Sequence, residues 1–230
     1  MENAESGICS RLIGRYGGRF STELGIRPAA NRAREIFRWL LAAVLFGAPI
    51  RATAAAATYR ALAAAGIDSP RAVLAADWNG IVAILDRGGY VRYDYKTATK
   101  LQAVCAAIKA RYRGNLAVLH AAAADSADLQ ARVLALGKGI GPVTANIFLR
   151  EMRGVWAKAQ PLPSETVIDA AHHLGLVPAH VSEPAAVLRA LQRLWKQHPA
   201  AGRTFPDFEA ALARAGMDLK RQLHDSLHRK

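Results

Sequence analysis

The sequence predicts an all-α fold. Three observations lead there. Apolar residues recur at helical spacing from Arg32 onward, glycine and proline punctuate the chain at helix-length intervals, and no segment alternates as a strand does. The elements follow in order. Residues 1–30 carry Gly14, Gly17, Gly18 and Gly25 and read as an irregular N-terminal arm with one short helix, in which Arg15 and Arg19 are available to phosphate. From Arg32, the positions Ile36, Leu40, Ala43 and Val44 share a face, flanked by Phe37, Leu41 and Leu45. That helix should stop near Gly47-Ala48-Pro49, because Pro49 disfavours helical geometry at Ala48.

An alanine-rich helix is expected from about Thr53 to Ala65, ended by Gly66. Ser69-Pro70 and Asp77 are start signals for two short helices, Pro70–Ala75 and Trp78–Leu85. After Gly88-Gly89-Tyr90 a longer helix, Tyr95 to Tyr112, presents Leu101, Val104, Cys105 and Ile108 on one face. Leu116 and Leu119 mark a short turn. Helices are expected over Asp128–Leu136 and Thr144–Met152. A loop from Arg153 to Pro163 leads to Ser164, an N-cap for a helix carrying Val167, Ile168 and Ala171. Two more helices, Pro184–Gln197 and Phe205–Ala215, precede a basic tail from Lys220 to Lys230 that either continues the helix or frays.

Composition narrows the function classes. A chain of 230 residues, 52% hydrophobic, can bury a core, which argues against disorder of the whole chain. Lys and Arg number 31 against 18 acids, a net charge of +13. Such an excess suits a polyanionic partner, and it also serves plain solubility. The two cysteines, Cys9 and Cys105, lack metal-type spacing. Cys105 sits among apolar residues as a small core side chain, and the chain suits a reducing cytosol. The apolar run Leu40–Ile50 is too short to span a bilayer, so no membrane partner is expected. His172 and His173 point about 100° apart on a helix, which speaks against a shared metal ion.

The most informative stretch is Gly139-Ile140-Gly141-Pro142-Val143-Thr144-Ala145-Asn146. It reads as a glycine turn between two helices. Residues without a Cβ let the backbone turn sharply and approach another surface. The first amides of the second helix then face outward, and with the helix dipole they form an anion site. Lys138 adds a mobile charge. The same pattern also closes ordinary αα turns. A second cluster, Tyr90, Tyr93 and Tyr95 with Arg92 and Lys96, is suited to stacking on an extruded base and gripping the backbone. Packing of the tyrosines beneath a loop accounts for it as well.

The glycine stretch resembles the hairpin of the helix-hairpin-helix DNA glycosylases, the endonuclease III-like superfamily. Gly137-Lys138 stands where those proteins commonly have Leu-Pro, and the Gly-hydrophobic-Gly and Thr-Ala-Asn parts are kept. The order of pieces over roughly residues 30–176 is similar too: an apolar helix, the Gly89-Tyr90 pair followed by Lys96, a long helix, the hairpin, a loop, and a helix ending in Leu174-Gly175-Leu176. The resemblance implies two helical lobes with DNA gripped in the cleft between them, and a division into an arm (1–30), a glycosylase-like helical domain (31–176, hairpin about 133–149) and C-terminal helices (177–230). It implies DNA contacts from Lys138, Gly139, Gly141, Val143 and Thr144, joined by Tyr90, Arg92 and Lys96.

Base-excision repair of damaged double-stranded DNA by a monomeric, cytoplasmic, monofunctional N-glycosylase is the activity so implied. The alternative is a DNA-binding relative without catalysis. A family Asp, ten residues before the first Leu of Leu-Gly-Leu, stabilises the cationic sugar or activates the nucleophile. Ser164 occupies that position here. Glu165 is the adjacent carboxylate, and Asp169, over a turn further on, is the other. The family's Schiff-base Lys falls on Val143, so lyase chemistry by that route is not expected. Phe46-Gly47-Ala48-Pro49 lacks the Gln that fills the gap left by a flipped base, although Phe46 itself is either a wedge or a core residue. With no Cys after Cys105, no iron–sulfur cluster is expected, and Phe205, Phe208, Leu212 and Leu219 must order the C-terminal segment. The resemblance is also compatible with a monovalent cation on the hairpin carbonyls around Leu136 to Gly141.

Overall fold

The computed structural model describes residues 7–227, so Met1 to Ser6 of the expected arm and His228 to Lys230 of the basic tail lie outside it. All of its regular structure is helical. The chain divides into two units, one running from residue 21 to 161 and the other joining residues 7–20 to 162–227. These limits differ from the expected boundaries at 30/31 and 176/177. The physical reason is the start of the chain. Ile8–Tyr16 (α1) is an amphipathic helix whose Cys9, Leu12 and Ile13 are buried. It packs into the C-terminal helices and is not a loose arm.

The 21–161 unit contains the rest of Phe20–Glu23 (α2), a 3-10 turn at Pro28–Ala30, and the helices Ala33–Phe46 (α3), Ala52–Ala64 (α4), Pro70–Ala75 (α5), Trp78–Arg87 (α6), Asp94–Tyr112 (α7), Leu116–Ala122 (α8), Ser126–Leu134 (α9) and Pro142–Met152 (α10). Helix α3 is its axis. Nine of its residues, Ile36 to Leu45 apart from Arg38, are buried, so it is surrounded by neighbours. Two polar bonds fix it inside this apolar setting. The Trp39 indole N–H donates to the Phe148 carbonyl of α10 at 3.0 Å, and the Tyr90 hydroxyl donates to the Leu45 carbonyl at 2.5 Å. The buried Asp68 carboxylate accepts from Arg34 and Arg38, which closes α3 onto the turn after α4.

Local signals placed several helix starts. Ser69 and Asp77 accept from the amides of Ala72 and Gly80, as N-caps do. Asp125, unforeseen, caps α9 through the Asp128 amide, which moves that helix two residues earlier than expected. The Leu116–Leu119 stretch is a true helix, started by Asn115, whose side chain accepts from Ala117.

The other unit holds α1, Glu165–His173 (α11), Pro184–Gln197 (α12) and Phe205–Leu227 (α13). Its core gathers Cys9, Leu12 and Ile13 with Val167, Ala171, Val187, Leu191, Phe208 and Leu212. Phe208 and Leu212 thus do the ordering expected of them. Helix α13 runs on past Ala215 into the basic tail. The Arg19 guanidinium lies 3.4 Å from the buried Asp207, so it is a structural ion pair rather than a phosphate contact. Among the described residues no helix is long and apolar enough to cross a membrane.

Candidate nucleic-acid interface

The glycine turn joins α9 to α10. Leu136 and Ile140 are buried and anchor it to the core, while Lys138 and Gly139 between them are exposed. An Ile140 amide to Gly137 carbonyl bond of 3.1 Å closes the bend. Gly139 has φ +94°, a conformation that side chains rarely adopt. Gly141 is the N-cap of α10 in extended geometry, and Pro142 opens the helix at its first position. Gly141 has no side-chain oxygen to offer, so the Val143 and Thr144 amides begin the helix without a cap. The space where a Gly141 Cβ would go is open. Val143 is 63% exposed, a large apolar side chain left beside these amides. Thr144 is different, because its side chain is buried and only its amide belongs to the turn.

That burial explains Gly47. A Cβ there would overlap the Thr144 side chain, so the end of α3 and the start of α10 approach closely because residue 47 is glycine. The stretch Phe46-Gly47 therefore seats the turn, with Phe46 half-buried.

Helix α7 supplies the charge that sequence reasoning missed. Lys100 lies against the bend, its Cε 2.6 Å from where a Gly139 Cβ would sit, and Val104 one turn on meets Gly137. Among the described residues no carboxylate pairs with Lys100, and burial lowers its ammonium below the ordinary lysine range. Two turns further, the Arg111 guanidinium donates to the Ala135 carbonyl at 2.5 Å, which covers the C-terminal end of α9. One turn the other way is the exposed Lys96, about 6 Å along the axis from Lys100. Lys96 thus shares one side of α7 with the residues that meet the turn. The spacing Lys96, Lys100, Val104 was the available signal.

The tyrosine cluster separates. Tyr90 is 1% exposed and hydrogen-bonded to α3, so its ring is core and has no face for a base. Burial raises its hydroxyl far above the ordinary tyrosine value. Tyr93 is half-buried, Arg92 lies over its ring at 5.9 Å, and Tyr95 stands 62% exposed.

The candidate catalytic residues belong to the other unit. Ser164 holds the N-cap position of α11 without a side-chain bond. Glu165 is exposed in the first turn. Asp169 pairs with Lys220 at 3.5 Å on a half-exposed surface, and Lys220 also donates to Thr166. Asp169 thus faces α13 through a surface ion pair. His172 Nε2 lies 3.1 Å from the Val181 carbonyl, and among the described residues no three His, Cys, Asp or Glu side chains gather where a metal ion would bind. In comparisons with known proteins, no family model and no curated protein matches this chain.

Proposed function

We propose that this protein binds double-stranded DNA through the 137–144 turn and is a base-excision-type protein related to the helix-hairpin-helix glycosylases. One observation carries the reading: the uncapped start of α10, exposed at Pro142 and Val143, adjoins the exposed Lys138 and the bend against which Lys100 lies without a carboxylate partner among the described residues. Helix-start amides and lysines bind phosphate without reading sequence, which is what an enzyme scanning for a lesion needs. The buried Ile140 and the Thr144–Gly47 contact hold the amides in place before DNA arrives, so little ordering cost remains.

For excision, Glu165 is the carboxylate we assign. Asp169 is already paired and Ser164 carries no charge. As the base departs with the glycosidic electrons, the carboxylate offsets the cationic sugar or takes a proton from the attacking water. The uncharged Ser164 favours the second reading, a binder that recognises DNA and leaves it intact.

The test is Gly141→Asp, measured by fluorescence anisotropy with labelled duplex. Nothing obstructs a side chain at residue 141, so the variant folds, and its carboxylate meets phosphate. Duplex affinity should fall at least tenfold, and wild-type affinity should drop steeply with added salt. Unchanged binding refutes the interface. A panel of damaged duplexes with wild type and Glu165→Gln then separates the two readings: excision by the first alone establishes the enzyme and its acid.

A further inference from the structure

A second surface, confined to α6 and α7, has an organisation that duplex binding does not use. Trp78 and Tyr95 stack at the surface with ring centroids 5.4 Å apart and planes 28° from parallel. Aromatic pairs ordinarily bury themselves. Here Tyr95 remains 62% exposed, with Trp78 on one side of its ring. The pair is also held in position. The Trp78 indole N–H donates to Thr99 Oγ1 at 3.2 Å, and the Thr99 hydroxyl donates to the Tyr95 carbonyl at 2.9 Å. Thr99 thus ties the indole to the first turn of α7, where Tyr95 stacks on it.

Two cations and two carboxylates flank it. Lys96 follows Tyr95 and is exposed, and Arg92 is exposed in the turn before α7. The two carboxylates are each turned to a backbone amide. Asp94 is buried with Oδ1 accepting from the Tyr95 amide, and Asp77 caps α6 through the Gly80 amide.

We propose that the Trp78–Tyr95 pair is a stacking platform for an unpaired nucleobase of DNA, with Lys96 and Arg92 on the adjoining phosphates. This rests on the DNA-binding reading above and adds a substrate class to it. Base faces inside an intact duplex are covered by their neighbours, so a fixed aromatic face at the surface serves only a base that has left the stack or a single-stranded stretch. The preferred ligand is therefore duplex DNA carrying a single-stranded segment. The platform lies wholly within the 21–161 unit.

The experiment compares a long blunt duplex with the same duplex bearing a short thymidine tail, by anisotropy, for wild type, Tyr95→Ala, Tyr95→Phe and Gly141→Asp. Wild type should bind the tailed duplex about tenfold more tightly, within the range of one or two stacked bases. Tyr95→Ala should erase that preference and keep the blunt-duplex affinity, and Tyr95→Phe should retain it. Emission should be quenched by the tailed probe in wild type and not in Trp78→Phe, Trp39 and Trp156 being buried and half-buried Trp195 being unchanged in both. Equal affinity of wild type for both probes, or an unchanged preference in Tyr95→Ala, overturns the platform while leaving Gly141-dependent duplex binding intact. Absence of any DNA binding by wild type overturns the duplex reading and the platform with it.

Discussion

Gly47 illustrates how one small residue sets the approach of two helices. It sits where α3 meets α10, and the Thr144 side chain fills the volume a Cβ would need. Gly47→Ala should cost about 1–3 kcal/mol, the usual penalty for overpacking, as read by urea denaturation. Thr144→Ala should relieve much of that loss in the double variant, since the hydroxyl is the atom in the way. At this scale the sequence conveyed some roles and hid others. Cys105 among Val104, Ala106 and Ile108 reads as core and is buried. Tyr90, flanked by glycines and charges, carried no periodic signal of burial, and only the Leu45 carbonyl, forty-five residues away, explains its place. Lys100 was hidden for the same reason, because its neighbour Gly139 is distant in the chain.

At the scale of helices, the capping chemistry of α13 governs its acid stability. Asp207 is 2% exposed. Burial pushes its carboxyl upward, but the Thr204 hydroxyl and amide at 2.7 and 2.9 Å, with Arg19, outweigh that and hold it below the ordinary aspartate value. A carboxylate lowered on folding stabilises the protein fully above its unfolded value of about 4, and the contribution is lost as pH falls through the still lower folded value. Asp207→Asn should therefore lose about 1–3 kcal/mol at neutral pH. The gap to wild type should close below about pH 4, as thermal melts across pH would record. Helices with local signals were the legible ones: Pro70–Ala75 and Pro184–Gln197 follow directly from their prolines and breakers. The segment Leu116–Ala122 was less legible. Seven residues show too few turns for periodicity, and the Asn115 cap identifies them only in hindsight.

The division of the whole molecule is what the sequence expressed least, since pairing of the chain's start with its later part leaves no local mark. Residues 7–20 complete a core with 162–227. Ile13→Ala should cost about 2–5 kcal/mol. Amide exchange should then quicken in α1 and in α11 to α13, with α3 to α10 unchanged. Uniform quickening over both units would show a single cooperative block instead. The arrangement also has a temporal consequence. During synthesis residues 21–161 form a unit of their own between the two halves of the other, so the apolar face of α1 is made before α13, its main partner. While the intervening unit is being made that face stays uncovered, and chaperone shelter matters over that interval.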